Sequence, residues 1–188
     1  MASLQSERER EMDHADVRRY WNANADLWTE LSRSGYDTFR DTLNTPAFFE
    51  MLPDVDNLSG LDVGCGEGHN TCLLAEQGAR VTAIDLSDIF LSHAQCSEAQ
   101  EPLGIRYLLA NVVELPFAEA SFDFATGIMS FMDIADAGWA LGEIHRALKP
   151  GGFLQFSITH PCFKTSRRRR LHDEHGATYA VKRIGARG

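Results

Sequence analysis

Apolar positions along the chain change their period near residue 58. Before that point they recur at helical spacing. Val17, Trp21, Trp28 and Leu31 lie three, four or seven residues apart and share one face, which predicts a helix from Asp13 to Leu31. Thr45 followed by Pro46 suits an N-cap and a first helical residue, so a second helix is expected through Pro46 to Met51. Residues 1–12 are polar and charged and are expected to be frayed or loosely helical, and residues 53–57 form a linker.

After residue 58 short apolar runs alternate with helical stretches. Strands are predicted at Leu58–Val63, Arg80–Asp85, Ile105–Leu109, Ser121–Ile128 and Phe153–Ile158. Between them, helices are predicted at His69–Gln77, stopped by Gly78, at Leu86–Ala99 with Phe90, Leu91 and Ala94 inward, and at Asp136–Leu148 with Leu141, Ile144 and Leu148 on one face. Lys149-Pro150-Gly151-Gly152 is expected to be a turn. This rhythm predicts an α/β fold of Rossmann-like type: an open, mainly parallel sheet with helices on both faces.

Composition narrows the picture modestly. The chain has 188 residues, 44% hydrophobic and 24% charged, which suits one globular domain. A net charge of −9 disfavours general binding to nucleic acid or an anionic membrane and suits a small or neutral partner. The cysteines Cys65, Cys72, Cys96 and Cys162 form no CxxC pair, so neither a metal site nor a redox dithiol is expected. The N-terminus lacks an apolar signal core, and no stretch approaches the ~20 apolar residues of a membrane span. A cytoplasmic protein with reduced thiols is expected.

The informative segment is Leu61-Asp62-Val63-Gly64-Cys65-Gly66-Glu67-Gly68, which leaves one strand and opens a helix. Glycines there let the backbone turn tightly and approach a ligand without Cβ contact. The helix N-terminus behind the loop offers free N–H groups. Asp85 closes the next strand, where a carboxylate can accept hydrogen bonds from both hydroxyls of a ribose. Each feature alone has a plainer explanation, a tight turn or a helix cap. Together, inside one βαβ unit, they describe a site for an adenosine-bearing cofactor. The dinucleotide fingerprint GxGxxG would put its third glycine at His69, so the GxGxG spacing disfavours a pyrophosphate reader.

At this point LDVGCGEGHN resembles the first motif of the class I S-adenosylmethionine-dependent methyltransferases. VTAIDLS resembles their second motif, and NVVELPFAEASFDFATG the stretch into their fourth strand. EIHRALKPGGFLQFSI resembles their last helix, turn and fifth strand. The likeness covers about residues 58–160 and is greatest to the small-molecule group that includes the quinone-ring methyltransferases. It implies S-adenosylmethionine as cofactor. It further implies that Asp62 orients the glycine loop near the methionine amino group, and that Gly64, Cys65 and Gly66 face the methionine and sugar. Asp85 would hold the ribose hydroxyls beside Leu86, Asn111 and Val112 would border the adenine, and Met129 would line the floor near the sulfonium. The family usually has Asp where this chain has Asn111, whose amide oxygen can also accept from the adenine amino group.

No catalytic residue is identified. Methyl transfer needs chiefly that the nucleophile be held in line with the methyl group, and a general base only if the acceptor starts protonated. The candidate bases are Asp133, after the fourth strand, and His160, after the fifth. The plainer alternatives are a loop carboxylate and a turn residue before Pro161. His93 and His145 are expected on helix surfaces. Tyr20, Trp21 and Trp28 suit either a lid over the cofactor, with cation–π attraction to a sulfonium, or plain packing against the sheet. Arg167–Arg170 could contact phosphates but suits a solvated loop in so acidic a chain.

Three segments are therefore expected: residues 1–57 as a helical segment and candidate lid, residues 58–160 as the cofactor-binding domain, and residues 161–188 as an irregular polar tail with one strand-like run at Thr178–Val181. The expected activity is methyl transfer to an unidentified small molecule. The alternatives are a domain that binds the cofactor without turnover and, disfavoured by His69, an NAD-type oxidoreductase. The oligomeric state is open. The resembled family has a seven-stranded sheet, whose last strands the tail does not supply. A shortened methyltransferase is thus expected, with weak cofactor binding, poor solubility and little turnover.

Overall fold

The computed structural model describes residues 13–159, 168–172 and 178–182. The chain divides into two compact units, residues 1–158 and 159–188. In the first, helix α1 (His14–Arg33) starts at Asp13, whose side chain accepts from the Asp16 N–H. A π-helical stretch, Arg40–Asn44, runs directly into α2 (Thr45–Met51). The elements that follow are β1 (Ser59–Val63), α3 (His69–Glu76), β2 (Arg80–Asp85), α4 (Asp88–Gln100), β3 (Arg106–Leu109), β4 (Phe122–Ile128), α5 (Ala137–Ala147) and β5 (Leu148–Ser157). Strands β1 to β5 form one parallel sheet in the order β3-β2-β1-β4-β5.

Alternation along the strands feeds two cores, one on each face. On one face Leu61 and Val63 of β1 and Ile84 of β2 pack with Ala140, Ile144 and Ala147 of α5. On the other, Val81 and Ala83 of β2, Tyr107 of β3 and Phe124 of β4 pack with Leu74 of α3 and Leu91 and Ala94 of α4. Strands buried on both sides are what a parallel sheet covered by crossover helices requires. Strand order reverses at β1, which pairs with β2 on one side and β4 on the other. Ligand crevices open at such a switch, beyond the carboxyl ends of the strands.

Several local expectations are corrected. Thr45 does not cap α2: the preceding π-helical stretch continues into it, and the Thr45 hydroxyl donates to Asn70 Oδ1 instead (3.0 Å). The buried residues of α1 are Asp16, Val17, Ala25, Thr29 and Ser32, which leaves Trp28 half out. Small residues among them let α1 lie close to its neighbours. The same choice operates on α5, where Ala140, Ile144 and Ala147 are buried and Leu141 is 42% exposed. Lys149–Gly152 does turn, but inside β5: Leu148 pairs with Phe122 and Phe153 with Phe124, so four residues bulge opposite Asp123 alone. Asp123 anchors the bulge, accepting from Lys149 Nζ (2.7 Å) and from the Ser59 N–H (2.9 Å).

In the second unit β6 (Arg168–His172) pairs antiparallel with β7 (Thr178–Lys182). The tail is therefore not irregular throughout. The run at Thr178 was legible from its alternation. The Arg168–His172 strand was not, because four consecutive arginines carry no period and its form comes from cross-strand pairing.

Candidate active site

A cavity of about 370 Å³ opens at the switch point. Every residue singled out from the sequence as cofactor-binding lines it: Asp62, Gly64, Cys65, Gly66, Asp85, Leu86, Asn111, Val112 and Met129. They come from the ends of four elements, so only the parallel register brings them together. Asp133, in a 3-10 turn, lines it too, whereas His160 lies outside the described residues.

The glycine loop is held by the strand beside it. Gly64 and Cys65 both donate to the Ile84 carbonyl, at 2.8 and 3.1 Å. The Gly66 N–H donates to Asp85 Oδ2 at 2.9 Å, and the Ser87 N–H to Asp85 Oδ1 at 2.8 Å. Burial pushes the Asp85 carboxyl up, against the lowering effect of these N–H donors. Asp85 is not the cap of α4, since Ser87 caps that helix through its hydroxyl. Each carboxylate oxygen has two lone-pair directions, so accepting two N–H groups leaves capacity to accept from a ligand diol.

Three loop glycines do three different jobs. Gly64 (φ 70°) leaves no room for a Cβ, which would strike Ser130. Gly68 (φ 92°) lies where a Cβ would come within 2.7 Å of Tyr107 Oη and 3.2 Å of Ala94 Cβ, so its lack of a side chain permits close packing on β3 and α4. Gly66 (φ 57°) has nothing within 4 Å of its Cβ position. That open space suits a ligand lying against bare backbone.

Asp62 sits below the loop, almost fully buried. It accepts from the hydroxyls of Thr71 (2.6 Å) and Thr126 (2.9 Å), and burial raises its carboxyl. It thereby joins β1 to α3 and β4, a positioning role. Burial, reinforced by Asp85 and Asp62, pushes the Cys65 thiol well up and keeps it protonated. Met129 adopts a left-handed backbone (φ 58°) at the end of β4, with its N–H donating to the Ser157 carbonyl (3.0 Å). No sequence signal marks that conformation, which is uncommon for a residue with a side chain.

The opposite wall comes from the N-terminal helices. Trp21, Trp28, Phe39, Arg40 and Asn44 line the cavity. Trp21 touches Phe90 and Trp28, with ring centroids 5.9 and 5.8 Å apart. Helix α1 is fastened to α4: Arg18 and Asn22 donate to Asp88 (3.0 and 2.8 Å), and Asp26 meets His93 Nε2 at 2.7 Å. His93, expected on a helix surface, also bridges α4 to α1. Arg40 donates to the Ser32 hydroxyl and carbonyl and lies 3.5 Å from Glu67, which Ser32 also contacts. Glu67, set between Gly66 and Gly68, thus ties the loop to the N-terminal segment, a link that the sequence does not show. Among the described lining residues the carboxylates are Asp37, Asp62, Glu67, Asp85 and Asp133, against Arg40 as the one Lys or Arg. Such a lining favours a cationic ligand.

An open parallel sheet with a glycine loop, a strand-end acid and an acidic, aromatic-walled cavity defines a nucleoside-cofactor domain of α/β type. A family model described as a methyltransferase domain matches residues 61–156, and the chain belongs to that family. It is 38% identical over 99 residues to a malonyl-[acyl-carrier protein] O-methyltransferase of Pseudescherichia vulneris, covering 53% of this chain and 38% of that protein. It is 40% identical over 101 residues to an O-methyltransferase of Aspergillus sclerotiorum, covering 50% of this chain and 37% of that one. Among solved structures it resembles an S-adenosylmethionine dependent methyltransferase from Mesorhizobium loti, with a TM-score of 0.62, 32% identity, and coverage of 75% of this chain and 65% of that one. The chain spans less than half the length of these two curated relatives. Among the described residues no helix is long and apolar enough to cross a membrane.

Proposed function

We infer that this chain transfers a methyl group from S-adenosylmethionine to a small-molecule acceptor. The observation that carries the reading is the pairing of Gly66 with Asp85. Bare backbone with open space at Gly66 and a buried carboxylate with spare lone pairs stand side by side at the switch point. A ribose diol seated on Asp85 would lie against Gly66, and its base would run toward Leu86, Asn111 and Val112.

S-adenosylmethionine supplies a methyl group on a positively charged sulfur, displaced in line to leave a neutral thioether. The chain's contribution is to attract the cation, exclude water and aim the acceptor. Five carboxylates line the cavity, and Trp21 and Trp28 lie in its wall, where cation–π attraction to a sulfonium would act. A strongly anionic acceptor would meet that same acidic lining, which favours an uncharged one. Asp133, exposed and among the cavity-lining residues, is the described candidate for taking a proton from a protonated acceptor.

Calorimetry with S-adenosylmethionine, S-adenosylhomocysteine and NAD tests the cofactor, and labelled methyl transfer to a panel of hydroxylated and amine acceptors tests the reaction. Tight binding of NAD with no binding of either sulfur compound would overturn the reading. Binding without transfer to any acceptor would leave a cofactor-binding domain and overturn the enzymatic part.

A further inference from the structure

Two large apolar side chains line the cavity and yet stand open to solvent: Phe39 is 77% exposed and Met129 39%. Exposed apolar groups in one concave site mark where an apolar partner is taken up. Met129 is held there in a left-handed backbone (φ 58°), a conformation that persists only where the surroundings enforce it.

Strand order separates both residues from the nucleoside. In β3-β2-β1-β4-β5 a ribose on Asp85, with its base running toward Asn111, takes the β2 and β3 side of the switch. Met129 follows β4, on the other side of β1. The next residue, Ser130, abuts Gly64 and donates its hydroxyl to the Val63 carbonyl at 2.7 Å. Phe39 comes from the N-terminal segment, and the residue after it, Arg40, lies 3.5 Å from Glu67 of the same loop. Phe39 and Met129 thus belong to the part of the cavity around the glycine loop, where an acceptor must meet the methyl group.

The charges nearby exclude an anion. Arg40 is the one Lys or Arg among the described lining residues, and its guanidinium is spent inside the protein. Nε donates to Asp41 (2.7 Å), Nη2 to the Ser32 carbonyl (2.9 Å), and Nη1 to the Ser32 hydroxyl beside Glu67. Asp37, Glu67 and Asp133 line the same cavity and would repel a carboxylate.

We propose that Phe39 and Met129 form the acceptor subsite and select an uncharged acceptor with an apolar ring. A phenyl face and a thioether both pack favourably on such a ring. Phe39 is the specificity-determining residue of the pair, since it is the more exposed and belongs to the segment outside the sheet. The proposal rests on the methyl-transfer reading.

The test is calorimetric titration of the full chain, saturated with S-adenosylhomocysteine, with 2-naphthol and with 6-hydroxy-2-naphthoate, which differ by one carboxylate. The wild-type chain should bind 2-naphthol at least about tenfold more tightly than the carboxylate. Phe39→Ser should weaken 2-naphthol binding at least about fivefold and leave S-adenosylhomocysteine affinity within about twofold. Failure to bind 2-naphthol, or equal or tighter binding of the carboxylate, overturns the proposal. So does a Phe39→Ser variant with undiminished 2-naphthol affinity, or one that loses S-adenosylhomocysteine affinity to the same extent, which would make Phe39 a cover for the cofactor. If Phe39→Ser does not fold, the wild-type ratio decides. A wild-type chain that binds no S-adenosylhomocysteine overturns the methyl-transfer reading itself, a distinguishable result.

Discussion

The N–H of Gly66 donates to Asp85 Oδ2 at 2.9 Å, so the glycine loop and the strand-end acid are one unit. The acid holds the loop in place through this bond, and a ribose seated as proposed would take lone pairs of the acid that the Gly66 and Ser87 N–H groups leave unused. Asp85→Ala is expected to weaken S-adenosylmethionine binding by roughly 2–4 kcal/mol, through loss of two charge-assisted hydrogen bonds to a ribose. Calorimetry measures it. A loss under about 0.5 kcal/mol would show that Asp85 serves only the loop.

The same carboxyl sets a pH dependence. Burial raises its pKa above the ordinary carboxylate value. The ionised form accepts from a diol and the protonated form does so less well. Affinity should therefore be full where Asp85 is ionised and fall as the pH drops through that raised value, earlier than an ordinary carboxylate would allow. Titrations across the acid range check it. Affinity that does not fall until the pH at which exposed carboxylates protonate would contradict it.

Gly66→Val should abolish cofactor binding while the fold survives. Its side chain would enter open space that a ligand needs, at a φ of 57° where a β-branched residue is strained by about 1–3 kcal/mol. Circular dichroism and a titration separate the two effects. Undiminished affinity would remove the loop from the site.

Asp62→Ala should cost about 2–4 kcal/mol of stability, because it leaves the hydroxyls of Thr71 and Thr126 buried without their acceptor. Urea unfolding reads the loss. A midpoint equal to that of the wild type would mean that the two threonines find other partners.

Glu143 is clamped by Arg146 at 2.8 Å and accepts from the Leu115 N–H at 2.9 Å, while Arg146 donates to the carbonyls of Phe117 and Leu115. The pair fastens α5 to the segment before β4. Arg146 holds the Glu143 carboxyl down at about 2, from an ordinary 4.5. A lowered carboxyl stabilises the fold above its unfolded value and loses that contribution as the pH falls from 4.5 toward about 2. Glu143→Gln should flatten acid unfolding in that window. Identical acid titrations of the two proteins would show that the clamp contributes nothing.

Periodicity made the five parallel strands and the helices between them legible, because a strand buried on both faces must be an apolar run and a crossover helix must carry one apolar face. The site was legible in part. Gly64, Gly66 and Asp85 stand out in the sequence as a glycine loop followed by a strand-end acid, and the structure brings them to one cavity. Gly68 was visible as a glycine, but not as the packing contact to Tyr107 and Ala94. On α1 and α5 the sequence picks out Val17 and Ile144, which are buried, but not Ala25, Thr29, Ala140 and Ala147, which close helix packing selects over larger neighbours such as Trp28 and Leu141.

The sequence by itself determined the order of elements, the turning glycines and the acid at the end of β2, since each depends on local backbone sterics or on a side chain's own chemistry. Tertiary structure alone decided what faces what. It brought Arg40, Asn44 and Trp28 across to the glycine loop, joined Glu67 to Ser32 and Arg40, and set Met129 in a left-handed turn. These depend on contacts between residues far apart in the chain or on the hydrogen bonds of a particular turn, and no local pattern of polarity encodes which partner will be nearest once the sheet has closed.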